Sequence, residues 1–181
     1  QDNGDVLLNA LIIFDVDALD PASCAEGIAR GEAELPMIID YMRAHCEGFE
    51  KATLVNTAEQ LYVRETRHME CEKMLTIDDV LENRAQEDAI CVTNYPVDVQ
   101  ATKTQRFGTV VGFPDQYEIS FGSLVPKKVD GLMIVGRSAG FTSLAAGSAR
   151  IVPTGMACGQ AAGVAAKLCV DKDMTPRELY G

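Results

Sequence analysis

Residues 6–14, Val-Leu-Leu-Asn-Ala-Leu-Ile-Ile-Phe, are apolar on both parities and bounded by acidic residues, which predicts a strand buried on both faces. Asp20-Pro21 then opens a helix in which Ile28, Leu35, Ile39, Met42 and Cys46 recur on one face. Pro36 is placed to kink that helix, and its outer face is acidic and solvated. Residues 52–57 and about 61–75 read as strands, the second with Leu61, Val63, Met69 and Cys71 on one parity. Thr76, with Asp79 at the third helical position, caps a short helix, and residues 89–92 and 97–99 follow as short extended pieces. The polar stretch 101–116, carrying Gly108, Gly112 and Pro114, is a long connection or hairpin and the best candidate for a mobile loop. Residues 117–121 and 132–135 read as strands, 142–146 as a helical turn, and 153–170 as the longest helix after the first. The class is mixed α/β (α+β). We expect a sheet of antiparallel or mixed strands flanked by helices, with the last helix on a short parallel strand and the first covering one face.

Composition narrows the partners. With 47% hydrophobic and 24% charged residues among 181, the chain has room for one sizeable core. Its formal charge of −11 repels nucleic acid and anionic membrane surfaces alike. The longest apolar run, residues 156–170, is interrupted by Gln160 and Lys167 and falls short of the roughly 20 residues that a bilayer requires. Six cysteines lie outside any Cys-x-x-Cys pair, and His45 and His68 are not at zinc-ligand spacing with them, so no metal site is expected. Reduced, mostly buried thiols in a cytoplasmic setting account for them. Both ends read as cut. Gln1 leads into an apolar run without the layout of a signal peptide, and the capping box Thr175-Pro-Arg-Glu178 starts a helix with only three residues left to run. The expectation is a single domain excised from a longer protein, with substrate-side strands at about 6–126 and a strand-turn-helix at about 131–170. Apolar surface uncovered by the excision would favour self-association.

Candidate chemistry concentrates in the last third. Gly155, Gly159 and Gly163 lie four apart and line one face of the final helix, either for close packing on a sheet or for a ligand. Pro153 opens that helix without sacrificing a bond, and the amides of Thr154, Gly155 and Met156 are expected to point forward with partial positive charge. Ser148 and Arg150, just upstream, offer a hydroxyl and a fixed charge, unless Arg150 is a structural ion pair. A flavin suits such a helix start better than a phosphate does, because reduction places negative charge along the N1 and C2-carbonyl edge of its ring. A preference of ~1–2 kcal/mol for the reduced form raises the two-electron potential by roughly 20–40 mV. Arg64, Glu65 and Arg67 form either a buried ion-pair network or a polar floor for a substrate, and Tyr95 and Asp98 either a turn or part of the same floor. A thiol-redox role for Cys158 is a further reading, with no resolving partner visible in sequence.

Six blocks carry a resemblance. They are Arg64-Glu-Thr-Arg67, Tyr95-Pro-Val-Asp-Val99, Tyr117-Glu-Ile-Ser-Phe121 with Ser123-Leu-Val-Pro126, Gly136-Arg137, Gly147-Ser-Ala-Arg-Ile-Val-Pro-Thr-Gly-Met156, and Gly159-Gln-Ala-Ala-Gly163. Together and in this order they resemble the C-terminal half of the FAD-dependent oxidoreductases related to glutathione reductase, over about residues 7–179. The resemblance implies a partial FAD/NAD(P)-binding-type fold in which Gly136, Arg137 and the start of the last helix meet the ribityl chain and ring of FAD. It also implies a partner, the N-terminal dinucleotide-binding part of the same protein, and a small-molecule substrate beside the flavin. This chain departs from the family at two points. It has no Gly-x-Gly-x-x-Gly, so the main grip on the dinucleotide is missing. Gln100 stands where relatives often have histidine. The implied function is the C-terminal portion of a flavin oxidoreductase, silent by itself and with no catalytic base assigned. The alternative is an interaction domain that keeps the fold without the cofactor.

Overall fold

The computed structural model describes residues 4–9, 11–105 and 107–181. The chain divides into two compact units, one of residues up to 63 with 102–104, the other of 64–101 with 105–181.

The first unit is built on α1 (Pro21–His45), whose N-cap Asp20 accepts a hydrogen bond from the Ala22 amide and whose first turn holds Pro21. The helix runs through Pro36, which supplies no N–H to the preceding turn. Its expected face, Ile28 to Cys46, is half-buried, and the close contacts lie at two buried glycines. A Cβ on Gly27 would come within 2.8 Å of Val16 and 3.0 Å of Leu61, and one on Gly31 within 3.2 Å of Ile13. The chain around residues 11–16 therefore lies over the glycines of α1. The described residues of 6–14 form no strand, and neither do 52–57. Side chains of α1 take the carbonyls that a ladder would need: Arg30 donates to the Phe14 and Asp15 carbonyls at 3.0 and 3.4 Å, and Arg43 to the Ala52 carbonyl at 2.9 Å.

In the second unit, α2 (Ile77–Leu81) begins with the expected capping box between Thr76 and Asp79. Strand β1 (Ala89–Thr93) pairs antiparallel with β4 (Tyr117–Ser120), with a bulge between Ala89 and Cys91. The stretch expected to be a connection or hairpin contains β3 (Thr109–Val110), antiparallel to β2 (Asp98–Val99). Three helices follow: α3 (Ser143–Ala149), α4 (Val152–Lys172) and α5 (Pro176–Tyr180). The mixed α/β class holds, and among the described residues both sheets are two-stranded and antiparallel.

Residues 64–75 do not form the expected strand, because their hydrogen bonds change partner along the segment. Glu72 donates to Val125, Lys73 to Gly122 and Leu75 to Gly140, leaving single bridges at Cys71–Pro126 and Leu75–Phe141. Residues 132–135 are likewise not a strand. Ile134 donates to Leu124, and a 3₁₀ turn, Gly136–Ser138, follows at once. The helix α4 packs instead on β1, and Leu75, Val97, Tyr117, Ile119, Leu124, Phe141 and Cys158 fill the core beside it.

Candidate functional site

The helix α4 opens at Val152, with Ile151 as an extended N-cap and Pro153 in the second helical position. Gly155 N–H already bonds the Ile151 carbonyl at 3.0 Å, closing the first turn. The amides ahead of the ladder are thus those of Val152 and Thr154, not the expected run from Thr154 to Met156. Among the described residues no side chain caps this end, and Val152 and Met156 are 72% and 71% exposed. Thr154 turns inward, its Oγ1 3.1 Å from Thr93 Oγ1, and ties the helix start to the end of β1.

Beside this turn stands Gly136, with φ of +74°, a conformation that an L side chain would strain. A Cβ built on Gly155 would lie 3.9 Å from Gly136 Cα, so the turn carrying Gly136 and the exposed Arg137 lies directly against the first turn of α4. Gly159 and Gly163 behave differently. An added Cβ would meet nothing within 4 Å at either, so this part of the glycine stripe is not a sheet-packing surface. The packed face of α4 is that of Thr154, Cys158, Ala165 and Cys169.

Ser148 and Arg150 look away from the helix start. Ser148 is fully buried and donates to the Tyr95 carbonyl, while the Tyr117 hydroxyl, 2.7 Å away, donates to Ser148 Oγ. Burial pushes the Tyr117 phenol up to about 12, against the lowering effect of the Ser148 bond, so it remains a donor. Arg150, with its side chain 11% exposed, donates to the Asp98 carbonyl at 2.9 Å and stands 3.9 Å from the Asp98 carboxylate. Gln100 donates to that same carboxylate at 2.9 Å. At Gly147 a Cβ would lie 3.1 Å from the Asp98 carbonyl, so the absent side chain is what lets α3 approach β2. Two residues expected at the cofactor, Ser148 and Arg150, are thereby joined to two expected at the substrate, Tyr95 and Asp98, in one polar cluster.

The remaining substrate candidates lie on the segment before Cys71. Met69 N–H bonds the Ser138 carbonyl at 2.9 Å, which sets this segment beside the Gly136–Ser138 turn. Glu65 pairs with His68 at 2.8 Å, Arg64 is half-buried and Arg67 is exposed. His68 was weighed in sequence only as a metal ligand, yet it is buried enough to leave Nδ1 without a partner among the described residues. Its spacing of three from Glu65 is the one signal that sequence offered. Tyr117 and Cys91 also escaped notice, since what places them is the pairing of β1 with β4 and the packing of α4.

A groove of about 450 Å³ runs further along α4, lined by Ile90, Phe121, Ala157, Gln160, Val164 and Leu168 among others. It is apolar and lies away from the helix start. Among the described residues no helix is long and apolar enough to cross a membrane. A family model described as FAD dependent oxidoreductase matches residues 2–181. No curated protein and no solved structure matches the chain.

Proposed function

Because the chain belongs to the FAD-dependent oxidoreductase family, we propose that its second unit completes the flavin site of such an enzyme and contributes part of the substrate site. The bare start of α4 carries this reading. Its Val152 and Thr154 amides are uncapped by side chains, and Gly136 and Gly155, neither of which carries a side chain, face each other beside them. A flat, electron-rich ring edge fits that donor set, since two amides and a helix dipole favour partial negative charge and ask for no countercharge. When bound, FAD supplies the two-electron acceptor for substrate oxidation.

The chain's own residues then divide by position. Pro153 fixes the helix opening, Gly136 and Gly155 permit close approach, and Met156 and Arg137 border the exposed side. Ser148 and Arg150 act as positioning residues, holding the backbone of Tyr95 and Asp98 through the bonds described above. Arg64, Glu65 and Arg67 are the substrate-binding candidates, with a carboxylate or hydroxyl-bearing small molecule matched to arginine. The grip on the ADP portion comes from a glycine-rich dinucleotide-binding unit elsewhere in the parent protein, since no Gly-x-Gly occurs in these 181 residues.

Titration with FAD, followed by flavin absorbance and fluorescence quenching, tests this in the full-length parent protein. We expect the parent to bind FAD, the 181-residue chain to bind it far more weakly, and Gly155→Val in the parent to weaken it at least about tenfold. A full-length protein with no flavin affinity overturns the assignment. That outcome would favour an interaction domain without cofactor, for which the apolar groove along α4 is the supporting feature.

A further inference from the structure

Strand β1 and helix α4 meet with matched spacings. Two residues along a strand advance about 6.6 Å and four along a helix about 6 Å. Thr93 and Thr154 touch at 3.1 Å, so stepping back two residues in β1 and forward four in α4 places Cys91 opposite Cys158. The two thiols come close enough there for each to shift the other's protonation. Tyr117, cross-strand partner of Thr93, lies near enough to both sulfurs to feel their charge. Their surroundings differ: Cys91 is half-buried, whereas Cys158 is 1% exposed.

We propose that Cys91 and Cys158 are an oxidative modification site, a thiol pair that a peroxide converts to a disulfide joining β1 to α4. Cys91 is the thiol that reacts first, because solvent reaches it. The neighbouring Cys158 thiol holds its pKa below the ordinary value, whereas Cys91 and burial push Cys158 up. The Cys91 thiolate attacks one peroxide oxygen, the O–O bond breaks, and hydroxide leaves to form water with the proton that Cys91 released. Cys158 sulfur then attacks the Cys91 sulfenic acid, its proton leaving with the hydroxyl as a second water. The two thiols lose two electrons to the peroxide, whose oxygens depart as water. Such a bond fixes the first two turns of α4 on β1.

The experiment treats the folded chain with equimolar hydrogen peroxide, alkylates it in denaturant and maps peptides without reduction. We expect a mass loss of two hydrogens, a cross-linked peptide pair holding Cys91 and Cys158, alkylation of the other cysteines, and full reversal by dithiothreitol. Cys91→Ser should leave Cys158 alkylated after the same treatment. Sulfinic acid at Cys91 with Cys158 still alkylated, a disulfide between other cysteines, or no oxidation overturns the proposal. Mapping of the unsubstituted chain decides the matter even if the variant fails to fold.

Discussion

Asp79 shows how much one side chain can hold. Its carboxylate accepts bonds from the Thr76 amide at 2.8 Å, the Thr76 hydroxyl at 2.7 Å and the Arg84 guanidinium at 3.1 Å. Burial pushes its pKa up, yet the bonds from Thr76 and Arg84 outweigh burial and hold it below the ordinary 3.8. A depressed folded value means that the folded state favours the ionised form. Its contribution is therefore complete above the unfolded carboxylate range and is lost as pH falls through the folded value. Arg84 is half-exposed, so most of the effect belongs to Thr76. We expect Asp79→Asn to be about 1–2 kcal/mol less stable than the parent chain at neutral pH, with the difference shrinking below pH of about 4 as Asp79 itself protonates. Thermal melts of both proteins from neutral to acid pH measure this, and a difference that stays constant would show that the charge on Asp79 contributes nothing.

At the scale of elements, α4 separates two uses of glycine. Gly155 is opposed by Gly136, but Gly159 and Gly163 face open space. A helix-interior glycine with room for a methyl group costs backbone entropy and returns no packing, so Gly159→Ala and Gly163→Ala should each stabilise the chain by about 0.5–1 kcal/mol. Urea denaturation reads this directly. Destabilisation by either alanine would show that the stripe is packed after all. The same element explains what sequence could reveal. Helix starts were legible because their signals are local: Asp20-Pro21, Thr76 with Asp79, Pro153, and Thr175 with Glu178 each lie within a few residues of the turn they cap. Strands were legible only in part: the extended pieces expected at 89–92, 97–99 and 117–121 lie within a residue or so of β1, β2 and β4, but a ladder needs a distant partner, and nothing in residues 6–14 or 52–57 reveals that Arg30 and Arg43 take the Phe14 and Ala52 carbonyls. The site divided along the same line. Pro153 announced the helix start to within one residue, whereas Ser148 meets Tyr117 and Tyr95 across separations of 31 and 53 positions.

For the molecule as a whole, two surface properties oppose each other. Val152, Met156 and Val170 leave an apolar stripe exposed along α4, with Val170 78% exposed, while a formal charge of −11 pushes copies apart. Burial of apolar surface between copies is short-ranged and gains little from dilute salt, but the repulsion reaches about 10 Å at 0.1 M salt and only about 3 Å at 1 M. Association should therefore strengthen with salt as well as with concentration, the reverse of what a charge-driven contact would do. Sedimentation velocity over a wide concentration range, at low and high sodium chloride, is expected to show a weight-average coefficient that climbs with concentration, and more steeply in high salt. Met156→Lys combined with Val170→Lys should flatten that climb, because each lysine puts a hydrated charge into the stripe. The double variant also separates the stripe from the groove along α4, which neither substitution touches. A boundary at the monomer position under every condition would mean that the exposed stripe, however apolar, does not hold two copies together.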